Sequence, residues 1–320
     1  MKTVAFIVPY FSKNGLPPII SVWLRSCGWN SSIDFFLITD CACQYPVPRN
    51  VRVINMSFLE FKKRLQAVVP MDIVLDTPYK LCDYKPVYGA AFEELLADFD
   101  YWGYCDVDLA WGNLRQFLFD SNNTNYERIF SRGHCSVFKN NELNRYAWRD
   151  MDPKGFQRWQ DCFATNKSCS FDERAGHCGG GMSLIYSANG YEIDDREVIA
   201  DLVVYSHSLS TTMDPCDFKA NRIFDVSPSG VYSKSVLDGR VTTIEYAYVH
   251  FQKRSLVFAN ADCEYESGYI ITPPNYAIPR EGVALDRHSI EELSRRVDYR
   301  WILEQFKSRT LRKAKKVLGR

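Results

Sequence analysis

Four short apolar runs constrain this chain more than any other feature. Thr3-Val-Ala-Phe-Ile-Val8 is continuous and rich in β-branched residues. It reads as a strand buried on both faces, the kind found in a parallel sheet. Ile33–Thr39, Val51–Met56 and Tyr101–Cys105 read as three more. Between them lie helical patterns. Ile19, Ile20, Trp23, Leu24 and Cys27 recur at helical spacing. Ser57-Phe-Leu-Glu60 is a capping box that opens a helix to about Val69. Lys85–Phe99 reads as one further helix. Alternating strands and helices predict stacked βαβ units, hence an α/β fold with a mixed, mostly parallel sheet flanked by helices.

Beyond these units the pattern loosens. Residues 112–225 mix short helices and loops, 231–260 read as antiparallel strands, and from His288 the pattern is helical. With no Gly/Ser- or Pro-rich linker, the expected organisation is one domain over 1–285 and a helical basic tail over 286–320.

Composition narrows the function classes. The 320 residues are 46% hydrophobic and 24% charged, which excludes intrinsic disorder. The net charge of zero conceals an asymmetry. Residues 300–320 hold eight Lys/Arg against one acid, Glu304, and the rest holds 31 basic and 38 acidic residues. An acidic body argues against duplex nucleic acid as a partner. In the tail, Trp301, Leu303, Phe306, Leu311, Ala314 and Leu318 interleave with the basic residues. That pattern predicts a basic amphipathic helix, suited either to peripheral docking on an anionic inner membrane or to packing on the acidic body.

No apolar stretch approaches the roughly 20 residues a membrane span needs. Val4–Val8 is shorter than a signal peptide's roughly 7–15-residue apolar region, and Pro9 closes it. The expected location is the cytoplasm, at the inner face of the cell membrane. The 11 cysteines are odd in number and irregularly spaced; Cys41 and Cys43 have no second close pair to complete a zinc site. Reduced thiols are expected.

The sharpest chemical signal is Asp106-Val-Asp108, directly after the fourth apolar run. Ligands bind at the carboxyl ends of strands in an open α/β sheet. Two carboxylates placed there repel each other unless a cation sits between them. Hard oxygen ligands suit Mg²⁺ or Mn²⁺, which keep positions open for phosphate oxygens. A third ligand is His250, in the alternating stretch Glu245–Phe251, and Lys253 and Arg254 just beyond could contact phosphate. The competing reading of His250 is a satisfied strand histidine. Pro9–Pro18 lacks the Gly-rich dinucleotide fingerprint, and there is no P-loop.

Taken in order, several motifs resemble one family. They are Pro9-Tyr10-Phe11, Leu37-Ile-Thr-Asp40, Tyr79–Pro86, Trp102–Asp108, Gly133–Asn140, Phe171-Asp172-Glu173 and Val249–Arg254. Together they resemble bacterial GT-A-type glycosyltransferases of capsule and lipopolysaccharide O-antigen gene clusters. The resemblance implies a GT-A, Rossmann-like fold and transfer of a sugar from a nucleotide-sugar donor, UDP-linked, to a glycan or lipid-linked acceptor. It implies that Pro9, Tyr10 and Phe11 line the nucleobase pocket, with Tyr10 and Phe11 capping the core as the alternative. Asp40 would contact base or ribose, or serve as a turn acid. Lys80 or Lys85 would meet the nucleotide, and Asp83 would either join them or cap the helix starting near Lys85. Asp106 and Asp108 would bind the metal and the ribose–diphosphate, with His250 as the remaining protein ligand.

An inverting transferase also needs a general base for the acceptor hydroxyl. Glu173 or Asp172 is the candidate, with His177 as a polar partner and Gly179–Gly181 as a flexible neighbour; a capping or acceptor-hydroxyl contact is the alternative. His134 resembles a substrate-pocket position or a buried structural histidine. Inversion is favoured. The rival classes are a nucleotidyltransferase acting on a sugar phosphate, and a non-catalytic glycan-binding module.

Overall fold

A computed structural model describes residues 1–119, 126–150, 159–173, 181–204, 206–212, 221–252, 254–258, 266–295, 298–299, 302–303 and 307. The chain divides into two compact units, Met1–Leu109 with Leu114–Glu197 and Ala110–Asn113 with Val198–Arg320.

The first unit carries the expected βαβ succession. Its strands are β1 (Val4–Pro9), β2 (Asp34–Thr39), β3 (Val51–Asn55) and β4 (Tyr101–Cys105). β5 (Leu109–Trp111), whose Ala110 and Trp111 belong to the second unit, comes next in the chain, then β6 (Arg128–Arg132), β7 (Cys135–Lys139) and β8 (Ile193–Asp194). Seven of these form one sheet in the order β3-β2-β1-β4-β7-β6-β8. The pairings β3–β2, β2–β1, β1–β4 and β6–β8 are parallel; β4–β7 and β7–β6 are antiparallel. The fold is thus mixed α/β with a mostly parallel sheet flanked by helices, as the apolar runs predict.

Burial explains the assignment. Val4 to Val8 and Tyr101 to Cys105 are sealed on both faces, and each large apolar side chain so buried contributes roughly 1.5–3 kcal/mol. Helix Ile20–Trp29 buries Ile20, Trp23, Leu24 and Cys27. Helix Phe58–Val68 begins at the expected capping box: Ser57 Oγ accepts from Glu60 N at 3.2 Å, and Ser57 N donates to Glu60 Oε2 at 2.8 Å.

The single helix expected over Lys85–Phe99 is instead a chain of short turns. Tight turns at Pro78–Lys80 and Lys85–Val87 alternate with helical pieces Leu81–Tyr84, Tyr88–Ala91 and Glu93–Leu96. Pro86 has no N–H to donate, and Phe92 leaves helical geometry at φ −126°, ψ 29°.

The second unit holds β9 (Ile199–Asp201), β10 (Asn221–Ser227), β11 (Gly230–Leu237), β12 (Arg240–Tyr246), β13 (Tyr248–His250), β14 (Val257–Phe258), β15 (Tyr269–Thr272) and β16 (Tyr276–Pro279). Six of them form a sheet ordered β12-β11-β10-β15-β16-β14, antiparallel except for β14–β16. β11 and β12 are the antiparallel strands expected after residue 231. β13 departs from that expectation. The chain leaves the sheet at Ala247, whose N–H donates to Val198 O at 2.8 Å and whose carbonyl accepts from Gly112 N at 2.8 Å. A three-stranded sheet ordered β5-β13-β9 results, with β13 and β9 parallel. Glycine is needed at 112, because a Cβ there would stand 2.4 Å from Tyr246 O.

The two compact units divide at Glu197/Val198, and residues 286–320, expected as a helical basic tail, fall within the second. Helix Arg287–Ser294, which begins the expected tail, buries Ile290 against Ile223 and Ile270 of the second unit. Most of the basic segment after it lies outside the described residues. Among the described residues, no helix is long and apolar enough to cross a membrane.

Candidate active site

Strand order places the site. From β1 the chain steps outward to β2 and β3, then returns to lay β4 on the other side of β1. The connections after β1 and β4 therefore leave in opposite directions, and such a reversal opens a crevice at the carboxyl ends of the two strands. Tyr10 and Phe11 follow β1; Asp106-Val-Asp108 follows β4.

Asp106 is held from two sides. Its N–H donates to His134 O at 2.9 Å, across the β6–β7 turn. Its Oδ1 accepts from Lys85 Nζ at 2.6 Å. The same ammonium donates to Gly133 O at 2.7 Å, lies 3.7 Å from Asp172 Oδ2 and stands 5.5 Å from the Tyr104 ring centre. Burial alone would lower the pKa of Lys85, but Asp106 and Asp172 override it and hold it well above the usual lysine range. Asp106 remains 40% exposed at its side chain. Lys85 fixes one carboxylate oxygen, so Oδ2 is the one that can face a ligand.

Asp172 and Glu173 are adjacent but differ in environment. Asp172 is buried and Glu173 exposed. The Asp172 carbonyl accepts from Arg128 Nη2 at 2.9 Å and from Tyr104 OH at 3.3 Å. Burial, reinforced by Glu173, Asp83 and Asp106, pushes the Asp172 carboxyl well above the ordinary range against the opposing pull of Lys85. A carboxyl that keeps its proton is a poor base, so Glu173 is the better candidate of the two. Gly133 lets Glu173 pack against this turn: a Cβ there would meet Glu173 Cγ at 2.6 Å and Asp172 Oδ2 at 3.1 Å.

The residues expected in a nucleobase pocket separate. Pro9 ends β1 and is half-buried. Tyr10 donates its N–H to Ile38 O at 2.9 Å and keeps a half-buried ring. Burial raises the Tyr10 phenol pKa, with Cys41 and Asp108 adding to the rise against a hydrogen bond with Ser12. Its hydroxyl thus feels the Asp108 charge. Phe11 is a core residue, packed edge-on against Phe58 and Phe61 at 5.6 and 5.5 Å. Asp40 is exposed directly after β2, where Cys41 Sγ ties the two loops by donating to Ser12 O at 3.3 Å.

Lys80 is sealed away from any ligand. Its side chain has no exposed surface, and Nζ donates to Asp83 Oδ2 at 2.6 Å, Cys162 O at 2.8 Å and Lys167 O at 2.6 Å. Asp83 caps a loop and not a helix: it accepts from the backbone N–H groups of Cys169 and Phe171, each at 2.9 Å.

In the second unit, His250 ends β13 and is 8% exposed, with Nδ1 at 2.8 Å from Asp201 Oδ1. Arg254 is structural: its buried guanidinium donates to Pro274 O and Asn275 Oδ1 at 3.0 and 2.9 Å and to Ser206 O at 2.7 Å. Lys253, His177, Gly179 and Gly180 lie outside the described residues.

Nothing in the sequence marks Arg128 or Asp201 as a contributor, and Gly133 stands there only as part of the motif Gly133–Asn140. A lone Arg in a strand, an Asp after an apolar pair and a turn glycine carry no local signature; each acquires its role through a neighbour distant in sequence.

Residues 6–279 match the family described as "Family of unknown function (DUF6625)". No curated protein matches the chain. Among solved structures, it is similar to the galactosyltransferase LgtC in complex with donor and acceptor sugar analogs, at 10% identity and a TM-score of 0.35, covering 93% of this chain and 98% of that one. An active-site mutant of LgtC is similar at 12% identity and a TM-score of 0.37, covering 93% and 98%. A glycosyltransferase involved in glycosylating the major capsid of PBCV-1 is similar at 9% identity and a TM-score of 0.36, covering 79% and 95%.

Proposed function

We infer a function for a chain that belongs to DUF6625, a family of unknown function: it is a metal-dependent glycosyltransferase, taking a sugar from a UDP-linked donor to a glycan or lipid-linked acceptor in surface-polysaccharide synthesis. One observation carries this reading. Two carboxylates, Asp106 and Asp108, directly follow β4, and the buried Lys85 ammonium hydrogen-bonds Asp106 Oδ1 and orients it.

The donor set fits a hard divalent cation. Asp106 and Asp108 offer oxygens and His250 an imidazole nitrogen, a mixture that suits Mn²⁺ better than Mg²⁺. When bound, the cation neutralises the charge a diphosphate gains on leaving. Tyr10 offers an aromatic face to the base, and Asp40 an acceptor for base or ribose hydroxyls. Glu173 takes the proton of the acceptor hydroxyl on a carboxylate oxygen, which makes the reaction inverting. The basic tail would bring the enzyme to an anionic membrane that carries a lipid-linked acceptor.

The test is a thermal-shift screen of nucleotides and UDP-sugars with and without Mn²⁺. A ligand that binds the folded state alone raises the melting temperature by mass action. The correct donor gives a rise that needs the metal and disappears in Asp108→Ala. A donor-dependent rise of the same size in chelator, kept by that variant, rules the metal role out. Pyrophosphate release from a nucleoside triphosphate and a sugar phosphate would instead identify a nucleotidyltransferase.

A further inference from the structure

We propose that Asp201 is a positioning residue for His250, holding its imidazole in the tautomer that presents a lone pair at Nε2 to a metal ion. The inference rests on the metal reading above and deepens it.

The parallel register of β13 and β9 sets His250 opposite Asp201. Asp201 Oδ1 lies 2.8 Å from His250 Nδ1 and also accepts from Gln252 Nε2. Its Oδ2 accepts from Thr212 Oγ1 at 3.2 Å, and its backbone carbonyl accepts from Thr212 N at 2.7 Å. Two side chains therefore orient the carboxylate, and a backbone bond anchors the residue, before it reaches the histidine. Gln252 adopts φ 42°, a left-handed conformation that non-glycine residues rarely take. That turn, immediately past β13, brings its amide back to Asp201.

The hydrogen-bond chemistry then fixes the proton. An ionised carboxylate only accepts, so Nδ1 must be the donor, and a neutral imidazole donating from Nδ1 has its lone pair on Nε2. The His250 and Asp201 side chains are 10% and 20% exposed, which shields the bond from water. A carboxylate behind a ligating histidine fixes ring and tautomer and raises ligand basicity, and losing it costs about 10–100-fold in metal affinity.

The experiment uses the full chain and Mn²⁺ alone, so it needs no knowledge of donor or acceptor. Mn²⁺ affinity is measured for wild type, Asp201→Ala, Asp201→Asn and His250→Ala, and the tautomer of His250 is read from its side-chain nitrogen shifts without metal. Wild type should bind Mn²⁺ and carry its proton on Nδ1. Asp201→Ala should lose about 10–100-fold in affinity and populate the other tautomer. Asp201→Asn keeps an acceptor without the charge and should fall between; it carries the test if the alanine variant does not fold. Equal Mn²⁺ affinity in wild type and both Asp201 variants overturns this proposal and leaves the metal reading intact. So does a wild-type His250 protonated at Nε2, or an affinity loss in Asp201→Ala with an unchanged tautomer. A wild type that binds no Mn²⁺ overturns the metal reading, and this proposal with it.

Discussion

Lys85 Nζ lies 2.6 Å from Asp106 Oδ1, and this bond ties the buried interior of the first unit to the rim of the β1–β4 crevice. The lysine side chain is 9% exposed, while that of Asp106 is 40% exposed. One partner is anchored and the other presented. The arrangement aims a carboxylate through a bond to one of its oxygens.

Removing that anchor should be costly. Lys85→Met leaves the Asp106 carboxylate and the Gly133 carbonyl without their ammonium donor, and with Asp106 40% exposed the cost is about 1–3 kcal/mol. Urea unfolding should show a loss of that order together with loss of transfer. A loss below about 1 kcal/mol would mean the pair is screened as a surface bridge is.

Asp172 makes stability depend on pH. Folding raises its carboxyl well above the ordinary value of 3.8. The folded state therefore holds this proton where the unfolded chain has released it. The stability it contributes is whole below the unfolded pKa and is lost as pH rises through the folded one. Asp172→Asn has no proton to lose. The melting temperature of the variant, relative to wild type, should rise from about pH 4.5 to about pH 7.5. A constant or falling difference would contradict the raised carboxyl.

Gly133→Ala tests the proposed base, Glu173. The new Cβ would meet Glu173 Cγ at 2.6 Å, and Glu173 is exposed enough to move aside. The expected cost in stability is small, about 1 kcal/mol, while kcat falls and the KM for donor holds. Unchanged kcat would exclude a role for Glu173 in its present position.

Cys82 should resist alkylation. Burial, with Asp172 and Asp83 adding to it, pushes its thiol up to about 12. The thiolate is the nucleophile, so iodoacetamide at mildly alkaline pH should leave Cys82 unmodified in the folded chain. Mass spectrometry of the labelled peptides reads this directly; rapid labelling of Cys82 would show that the site opens.

Much of the first unit was legible in its residues. The strands at Val4–Pro9, Asp34–Thr39 and Tyr101–Cys105 and the Ser57 cap each depend on neighbours a few positions away. The run from Lys85 to Phe99 misled because its apolar spacing is helical while Pro86 and Phe92 interrupt the hydrogen-bond ladder. Phe11 and Lys80 misled in another way. An aromatic or a lysine beside a motif looks the same on paper whether it faces a ligand or the core. Packing against Phe58 and Phe61, and a cage of carbonyls around Nζ, decided for the interior.

Sequence by itself determined the alternation of buried strands and helices, and the placing of two carboxylates at a strand's end. Both follow from local periodicity and from the sheet's need to bury apolar faces. Tertiary structure alone decided that β4 returns beside β1, that Lys85 stands behind Asp106, and that Asp201 stands beside His250. Those relationships join residues 21 and 49 positions apart. Strand order and register create them, and no local pattern of side chains encodes either.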